Sequence, residues 1–498
     1  MRLDALLATA GLTAAGAGDA AITGFAIDHR KVAPGTVFGA FAGSRFNGED
    51  FIPAAIEAGA VAIVARPEAK VEGACHIADA EPRRAFARLA AGFFAPYPAT
   101  IVAVTGTNGK TSCVEMTRQI WRMAGERAAS IGTLGVTTPD GSVSTGLTTP
   151  DIVTFLANMA GLAREGVSHV AYEASSHGLD QYRNEGLTVS ASAFTNFTRD
   201  HLDYHGTMEA YFAAKMRLFA EVVAPGSPAV IHDAGEGSEW TAKAIAKADA
   251  RGLDVRTVGE GGSFLRLVAR EPGQLGQLLH IEHQGEARKV NLPLIGAYQA
   301  ANALVAAGLA MATGVSASMA FDALSRLQPV RGRLERAAIN AAGAPAYVDY
   351  AHTPDALEAA IAALRPHVAQ GGRLIVVFGA GGDRDVGKRP EMGAIAARGA
   401  DLAIVTDDNP RSEDPAAIRA AIMAGGGAAL REIGDRREAI AAAIAEAGAS
   451  DIVLIAGKGH EQGQIFGSGE TMRVEKFDDV EVARECAGAA ARDGSLGA

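Results

Sequence analysis

The chain has 498 residues, 48% hydrophobic and 21% charged, with a formal net charge of −11. That length accommodates about three domains of ordinary size, and the acidic balance opposes binding to nucleic acid backbones or anionic membranes. Cys75, Cys113 and Cys486 lie far apart with no Cys-x-x-Cys pair, so neither a zinc site nor a disulfide framework is indicated and a reducing cytoplasm fits.

The amino-terminal MRLDALLATAGL lacks the long apolar core and cleavage site of a secretion signal. No uninterrupted apolar run reaches the roughly 18 residues of a membrane span. Up to residue 98, short strands and helices alternate: TVFGAFAG reads as a strand, DFIPAAIEAGA as a helix and AVAIVA as a strand. The prolines of FFAPYPAT, Pro96 and Pro98, break the preceding helix and mark a domain boundary. The strand TIVAVTG then runs into a glycine loop and a helix through CVEMTRQIWRMAG, one strand–loop–helix unit of a parallel sheet. HVAYEAS, ASAFTNF and AVIHD read as further buried strands, FLRLVAR to KVNLPL as a strand-rich patch, and ANALVAAGLAMATG as a helix. Near Arg331 the pattern restarts. AYVDYAH, RLIVVFGA, LAIVTDD and DIVLIAG are apolar strands separated by Ala-rich helical segments, a doubly wound arrangement. The expected fold class is α/β, with three domains at 1–98, 99–330 and 331–498.

The loop Thr105-Gly106-Thr107-Asn108-Gly109-Lys110-Thr111 has the makings of a phosphate cradle. Glycines let the backbone approach an anion, successive N–H groups point inward, and the next helix contributes its positive end. Lys110 would neutralise outer phosphates and Thr111 would hold Mg²⁺. The spacing G-x-x-G-K-T is shorter than the general pattern, and an ordinary strand-to-helix turn is the bland alternative. Glu173, His201 and Asp203 are oxygen or nitrogen ligands near the phosphate loop. His205 in DHLDYH reads equally as a satisfied, partly buried histidine. Lys215 follows the helical MEAYFAA, where a lysine is normally solvated. Thr148-Thr149-Pro150 reads plainly as a loop and helix cap.

Asp408-Asn409-Pro410-Arg411 follows the strand LAIVTD and precedes the helix start Ser412-Glu413-Asp414-Pro415. Loops at the carboxyl ends of such strands bind ligands. Arg411 offers a planar fork matched to a carboxylate. A helix-capping turn accounts for Asp408 or Ser412 but not for Arg411. GAGGDRD resembles a dinucleotide loop only weakly, and substrate binding is preferred for it.

TGTNGKT, YEASSHGLDQYR (172–183), TNFTRDHLDYHGTMEAYFAAK (195–215), RGRLER (331–336), DYAHTPDAL (349–357), GAGGDRDVGKRP (379–390), DDNPR (407–411) and AGKGHEQGQ (456–464) occur in this order. In these segments the chain resembles the Mur ligase family, which also includes folylpolyglutamate synthetases. The resemblance implies a UDP-binding N-terminal domain, a central P-loop ATPase domain and a C-terminal Rossmann-like domain. It implies ATP on Thr105 through Thr111, with Asn302 at adenine, Arg333 at phosphate and Asp349 at ribose, so that domain closure builds the site. Glu173 and His201 would bind a second Mg²⁺, helped by Lys215 after carbamylation by CO₂. With Lys110 these form the implied catalytic set.

The UDP-linked substrate would meet Ile27, His29, Thr148, Thr149, Ser175, Gln181 and Arg183. The family's Asp-Ser-Arg reads Asp28-His29-Arg30 here. Leu147 stands where the family often has Asn, and Gln299 replaces another usual Asn. The DNPR loop implies meso-diaminopimelate as acceptor. Asp408, Asn409, Pro410 and Arg411 would surround it, with Arg384 at a carboxylate, Gly457 giving backbone and Glu461 at the distal ammonium. The implied reaction joins this amino acid to UDP-N-acetylmuramoyl-L-alanyl-D-glutamate through an acyl phosphate, with no covalent enzyme nucleophile. A lysine-adding or folate-extending ligase is opposed by DNPR and the N-terminal domain. A nucleotide-binding regulator with a dead site is opposed by Lys110, Glu173, His201 and Lys215.

Overall fold

The computed structural model describes residues 1–14, 18–43, 46–143, 148–235 and 237–493. Leu147 lies outside them. Two compact units are formed, Met1–Phe264 with Val305–Ala317, and Leu265–Leu304 with Ser318–Ala498.

The first unit holds two sheets. Strands β1 (Gly24–Ala26), β2 (Thr36–Gly39), β3 (Ala60–Ala65) and β4 (Cys75–Ala78) form a small parallel sheet in that order. Helix Pro82–Phe94 covers it through Phe86 and Leu89 and stops before Pro96, as its prolines predict. The larger sheet uses β5 (Thr100–Thr105), β6 (Ala128–Gly132), β7 (Gly135–Thr137), β8 (Ser142–Val143), β9 (His169–Glu173), β10 (Ala191–Phe194), β11 (Pro228–His232) and β12 (Asp254–Gly259). Its order is β12-β11-β10-β5-β9-β6-β7-β8, parallel from β12 to β6. β5 is central and its apolar residues are buried on both faces, which is why TIVAVT reads as a continuous hydrophobic run. The non-sequential strand order puts the carboxyl ends of β5, β9 and β10 side by side, and Thr105, Glu173 and Thr195 with them.

The second unit opens with an antiparallel meander of β13 (Leu265–Gly273), β14 (Gly276–His283) and β15 (Glu286–Leu292). A six-stranded sheet follows, from β16 (Glu335–Ile339), β17 (Pro345–Asp349), β18 (Leu374–Phe378), β19 (Leu402–Val405), β20 (Leu430–Glu432) and β21 (Ile452–Ala456). Its order is β16-β17-β21-β18-β19-β20. Period-two alternation sorts the side chains. Leu374, Val376 and Phe378 pack with Leu357, Ile361, Met392 and Ile422 of three helices on one face. Ile375 and Val377 pack with Ile440, Ile444 and Ala483 of two helices on the other. Strands β22 (Gly463–Phe466) and β23 (Arg473–Lys476) close a separate hairpin.

Several bland expectations are corrected. Asp151, not the threonines before it, caps helix Ile152–Arg164 by accepting from the Val153 and Thr154 N–H groups. Asp414, rather than Asp408 or Ser412, caps helix Pro415–Gly426. Lys215 is not solvated: it is 1% exposed, on the inward face of helix Met208–Arg217 with Tyr211. His205 is half-buried, but its Nε2 lacks a hydrogen-bond partner.

Candidate active site

Neighbouring residues hold the backbone of the glycine loop. The N–H groups of Thr107 and Asn108 donate to Asn196, at its backbone O (2.9 Å) and its Oδ1 (2.9 Å). Thr195 Oγ1 donates to Asn108 O at 2.6 Å. Gly106 sits at φ 143°, and a Cβ there would lie 1.9 Å from Thr195 Oγ1, so only glycine fits. Gly109, at φ 85°, turns the chain into helix Lys110–Met123, whose N-terminus has no side-chain cap. That leaves the positive helix end facing the loop, the arrangement that suits a phosphate.

Two lysines converge here. Lys110 Nζ donates to Gly106 O (3.0 Å) and Thr107 O (2.7 Å), and Lys215 Nζ donates to the same Gly106 O at 2.7 Å. Burial, then the nearby Lys110 charge, push the Lys215 amine well below the ordinary lysine range, against a weaker pull from Asp200. The His201 imidazole is also lowered, mainly by burial, with Lys110 and Lys215 adding to that. Its ring stands 5.0 Å from that of His177, and the backbone takes a left-handed φ of 51°. Asp203 is exposed, as is His201.

From the end of β9, a chain of hydroxyls links Glu173 to the segment after it. Glu173 accepts from Thr133 N at 2.7 Å and Thr133 Oγ1 at 3.3 Å, and Thr133 Oγ1 meets Thr148 Oγ1 at 3.0 Å. A Cβ on Gly132 would fall 2.1 Å from Glu173 Oε1. Thr149 Oγ1 donates to Glu173 O (2.8 Å) and lies 2.9 Å from Ser175 Oγ. Arg183 donates to Thr149 O at 2.8 Å and by two N–H groups to Gln181 Oε1, while Gln181 Nε2 donates to Tyr204 Oη at 3.0 Å. A buried carboxylate, the buried Thr111 hydroxyl and an imidazole make a donor set that fits Mg²⁺, which takes one or two carboxylates and fills its shell with phosphate oxygens and water. Among the described residues no three His, Cys, Asp or Glu side chains form a ready-made metal cage.

In the second unit, Asn302 Nδ2 donates to Gln299 Oε1 (3.3 Å), and Gln299 Nε2 donates to Arg333 O (2.8 Å). The Asp349 carboxylate accepts from Leu334 N at 2.8 Å, and burial raises its pKa against the pull of Arg333. Three loops interlock beyond the ends of β18, β19 and β21. Arg411 donates through Nη1 to Gly382 O (2.8 Å) and through its backbone to Ile465 O (3.0 Å). Gly382 N donates to Asn409 O at 2.9 Å, and a Cβ on Gly382 would strike Pro410 O at 1.9 Å. The GAGGDRD glycines therefore serve close packing against the DNPR loop. Asn409 Nδ2 donates to Glu461 Oε2 at 2.8 Å. Gly457 lies against Asp408, whose buried Oδ2 has no hydrogen-bond partner. Arg384 is exposed.

Comparison with known proteins gives this geometry its context. Residues 104–310 match the Mur ligase middle domain, 332–459 the Mur ligase glutamate ligase domain, and 21–93 the Mur ligase family catalytic domain. The chain belongs to the Mur ligase family. Among its Mur ligase relatives, a Zymomonas mobilis protein named UDP-N-acetylmuramoyl-L-alanyl-D-glutamate–2,6-diaminopimelate ligase is 60% identical, over 94% of this chain and 95% of its own. A Bradyrhizobium diazoefficiens protein of the same name is 54% identical, over 90% of this chain and 92% of its own. A solved structure of an enzyme of that name superposes with a TM-score of 0.72 at 33% identity, covering 94% of this chain and 95% of that one.

Within this Mur ligase fold, Lys110, Thr111, Glu173, His201 and Lys215 all belong to the first unit, as do Thr148, Thr149, Ser175, Gln181 and Arg183. Ile27 is 38% exposed, and the His29 ring stacks on Phe51 at 4.4 Å in a short turn capped by Asp28. Asn302, Arg333, Asp349 and the acceptor loops belong to the second unit. Motif reading gave no role to the residues that hold these in place. Thr133 follows one strand end, Thr195 and Asn196 follow another, and Gln299 works through a partner distant in sequence. An unexplained Thr or Asn just past an apolar strand was the available signal.

Proposed function

We propose that this chain is an ATP-dependent ligase that joins meso-diaminopimelate to UDP-N-acetylmuramoyl-L-alanyl-D-glutamate in peptidoglycan synthesis. The observation that carries the reading is the near-full-length likeness to the Zymomonas relative, which spans phosphate loop and acceptor loop alike. The γ-carboxylate of D-glutamate attacks the γ-phosphate of ATP, ADP departs and an acyl phosphate forms. The amine of diaminopimelate then attacks the acyl carbon, loses a proton and expels phosphate.

Lys110, in reach of the loop carbonyls, swings to the transferring phosphoryl group, where its work is charge stabilisation and positioning. Thr111, Glu173, His201 and a modified Lys215 would hold Mg²⁺, which supplies charge screening when bound. Lys215 carbamylation begins with its neutral amine, which the buried site favours. The amine attacks CO₂ and releases a proton, giving an anion that retains one N–H. Thr149, Ser175, Gln181 and Arg183 bind the UDP-linked substrate with Ile27, His29 and Thr148. Asn302, Arg333 and Asp349 serve the nucleotide. Arg411 takes the distal carboxylate of the acceptor, Arg384 a carboxylate and Glu461 the distal ammonium, with Asp408 and Asn409 beside them. The domains serving these roles are 1–98, 99–330 and 331–498.

The test is phosphate release from ATP with the UDP-linked dipeptide and meso-diaminopimelate, L-lysine or no acceptor. Release that needs meso-diaminopimelate supports the reading. Equal release with L-lysine, or release without any acceptor, overturns the acceptor assignment.

A further inference from the structure

Lys458 is fully buried, a costly place for an ammonium, and nothing in the proposed reaction uses it. Burial lowers its pKa, while Asp408 and Glu461 pull the other way. Its Nζ donates to Asn409 Oδ1 at 2.8 Å. The backbone N–H of Ile465 donates to the same oxygen at 3.0 Å. Two donors on Oδ1 decide which way the amide faces. The Asn409 NH₂ group is thereby turned to Glu461 Oε2, 2.8 Å away. A flipped amide would set NH₂ against an ammonium and an N–H, and a carbonyl against a carboxylate. Glu461 itself keeps 33% of its side chain exposed, and its Oε2 lies 3.7 Å from Lys458 Nζ.

We propose that Lys458 is a positioning residue for acceptor selection: by fixing the Asn409 amide it holds the Glu461 carboxylate in the orientation that receives the distal ammonium of the acceptor. The inference rests on the ligase reading above. Lys458 has no exposed surface to offer a substrate and acts through Asn409.

The sign of the effect separates positioning from simple charge. Removing a cation near Glu461 makes the region more negative, which alone would strengthen its preference for an ammonium. Loss of positioning weakens that preference. The experiment compares meso-diaminopimelate with the analogue that keeps both carboxylates and the reacting amine but carries hydrogen in place of the distal amine. In the full chain, steady-state kinetics are measured for wild type, Lys458→Met and Asn409→Asp. Asn409→Asp keeps an oxygen for Lys458 but places a second oxygen, without a hydrogen, against Glu461. It therefore tests the same link if Lys458→Met fails to fold.

In wild type the distal amine improves kcat/KM. Both variants are expected to narrow that advantage by about tenfold to a hundredfold, the range for a charge-assisted hydrogen bond lost or misdirected. The effect should fall on KM for the acceptor, with KM for ATP little changed. The preference for meso-diaminopimelate over L-lysine, which depends on the carboxylate at Arg411, should be largely kept.

An unchanged or widened advantage in the folded variants overturns the positioning role. So does an equal rise in KM for all three substrates, the mark of general destabilisation. If wild type uses neither acceptor, the ligase reading fails and takes this inference with it. That outcome is read from the wild-type protein alone.

Discussion

Replacing Gly106 by alanine perturbs the phosphate loop at one point whose cost can be worked out. The backbone φ of 143° is one that L residues rarely adopt, and holding alanine there costs about 1–3 kcal/mol. The new Cβ would also lie 1.9 Å from Thr195 Oγ1, which donates to Asn108 O. Thr195 must move, and a part-buried hydrogen bond worth about 1 kcal/mol goes with it. The sum is about 2–4 kcal/mol, concentrated where Lys110 and Lys215 share the Gly106 carbonyl. If that energy is expressed in the loop, turnover falls by about thirtyfold to a thousandfold. The assay is steady-state phosphate release, with ATP affinity measured by calorimetry and folding by thermal melting. Adding Thr195→Ala to Gly106→Ala removes the close oxygen and leaves the former Cβ position 3.1 Å away, so the double variant should recover part of the loss. Near-normal ATP affinity and turnover in Gly106→Ala would refute the reasoning. So would a double variant whose losses simply add, since residues in contact should couple.

Lys110→Ala should keep its fold and lose on the order of 10²-fold or more in turnover, measured by phosphate release. Lys215→Ala should lose activity and regain part of it with a short carboxylic acid; no rescue together with an unmodified lysine mass from bicarbonate-treated protein speaks against carbamylation. Arg411→Ala should raise KM for meso-diaminopimelate far more than for ATP, and narrow a discrimination against L-lysine that can approach roughly 10⁴-fold; an untouched preference removes Arg411 from acceptor selection. His460, packed against Tyr350 and pushed down to about 4 chiefly by burial and then by Arg333, makes stability pH-dependent. Its folded pKa lies below the unfolded value near 6.5, so its contribution is complete above that value and is lost as pH falls towards 4. His460→Gln should flatten the loss of urea stability in that window, and an unchanged slope would contradict the assignment.

Much of the architecture was legible in the sequence because burial writes itself into pattern. TIVAVTG, RLIVVFGA and DIVLIAG are continuous apolar runs because their strands are covered on both faces. The edge strands β16 and β20 escaped, since Glu335–Ile339 and Leu430–Glu432 are partly solvated and carry charged residues. The glycine loop announced itself through residue types that a phosphate cradle requires and a plain turn does not. Lys215 shows the limit of such reading. Its helix looks amphipathic and ordinary, and only the packing of that helix against the Gly106 carbonyl turns a commonplace lysine into a buried, depressed amine. The same holds for Lys458 and Asn409, whose meaning lies in a hydrogen bond between residues 49 positions apart. The sequence alone determined which groups are present and, through periodicity, which segments become strands and helices. Tertiary structure decided which groups meet, because hydrogen bonds and desolvation depend on distances that chain order does not encode.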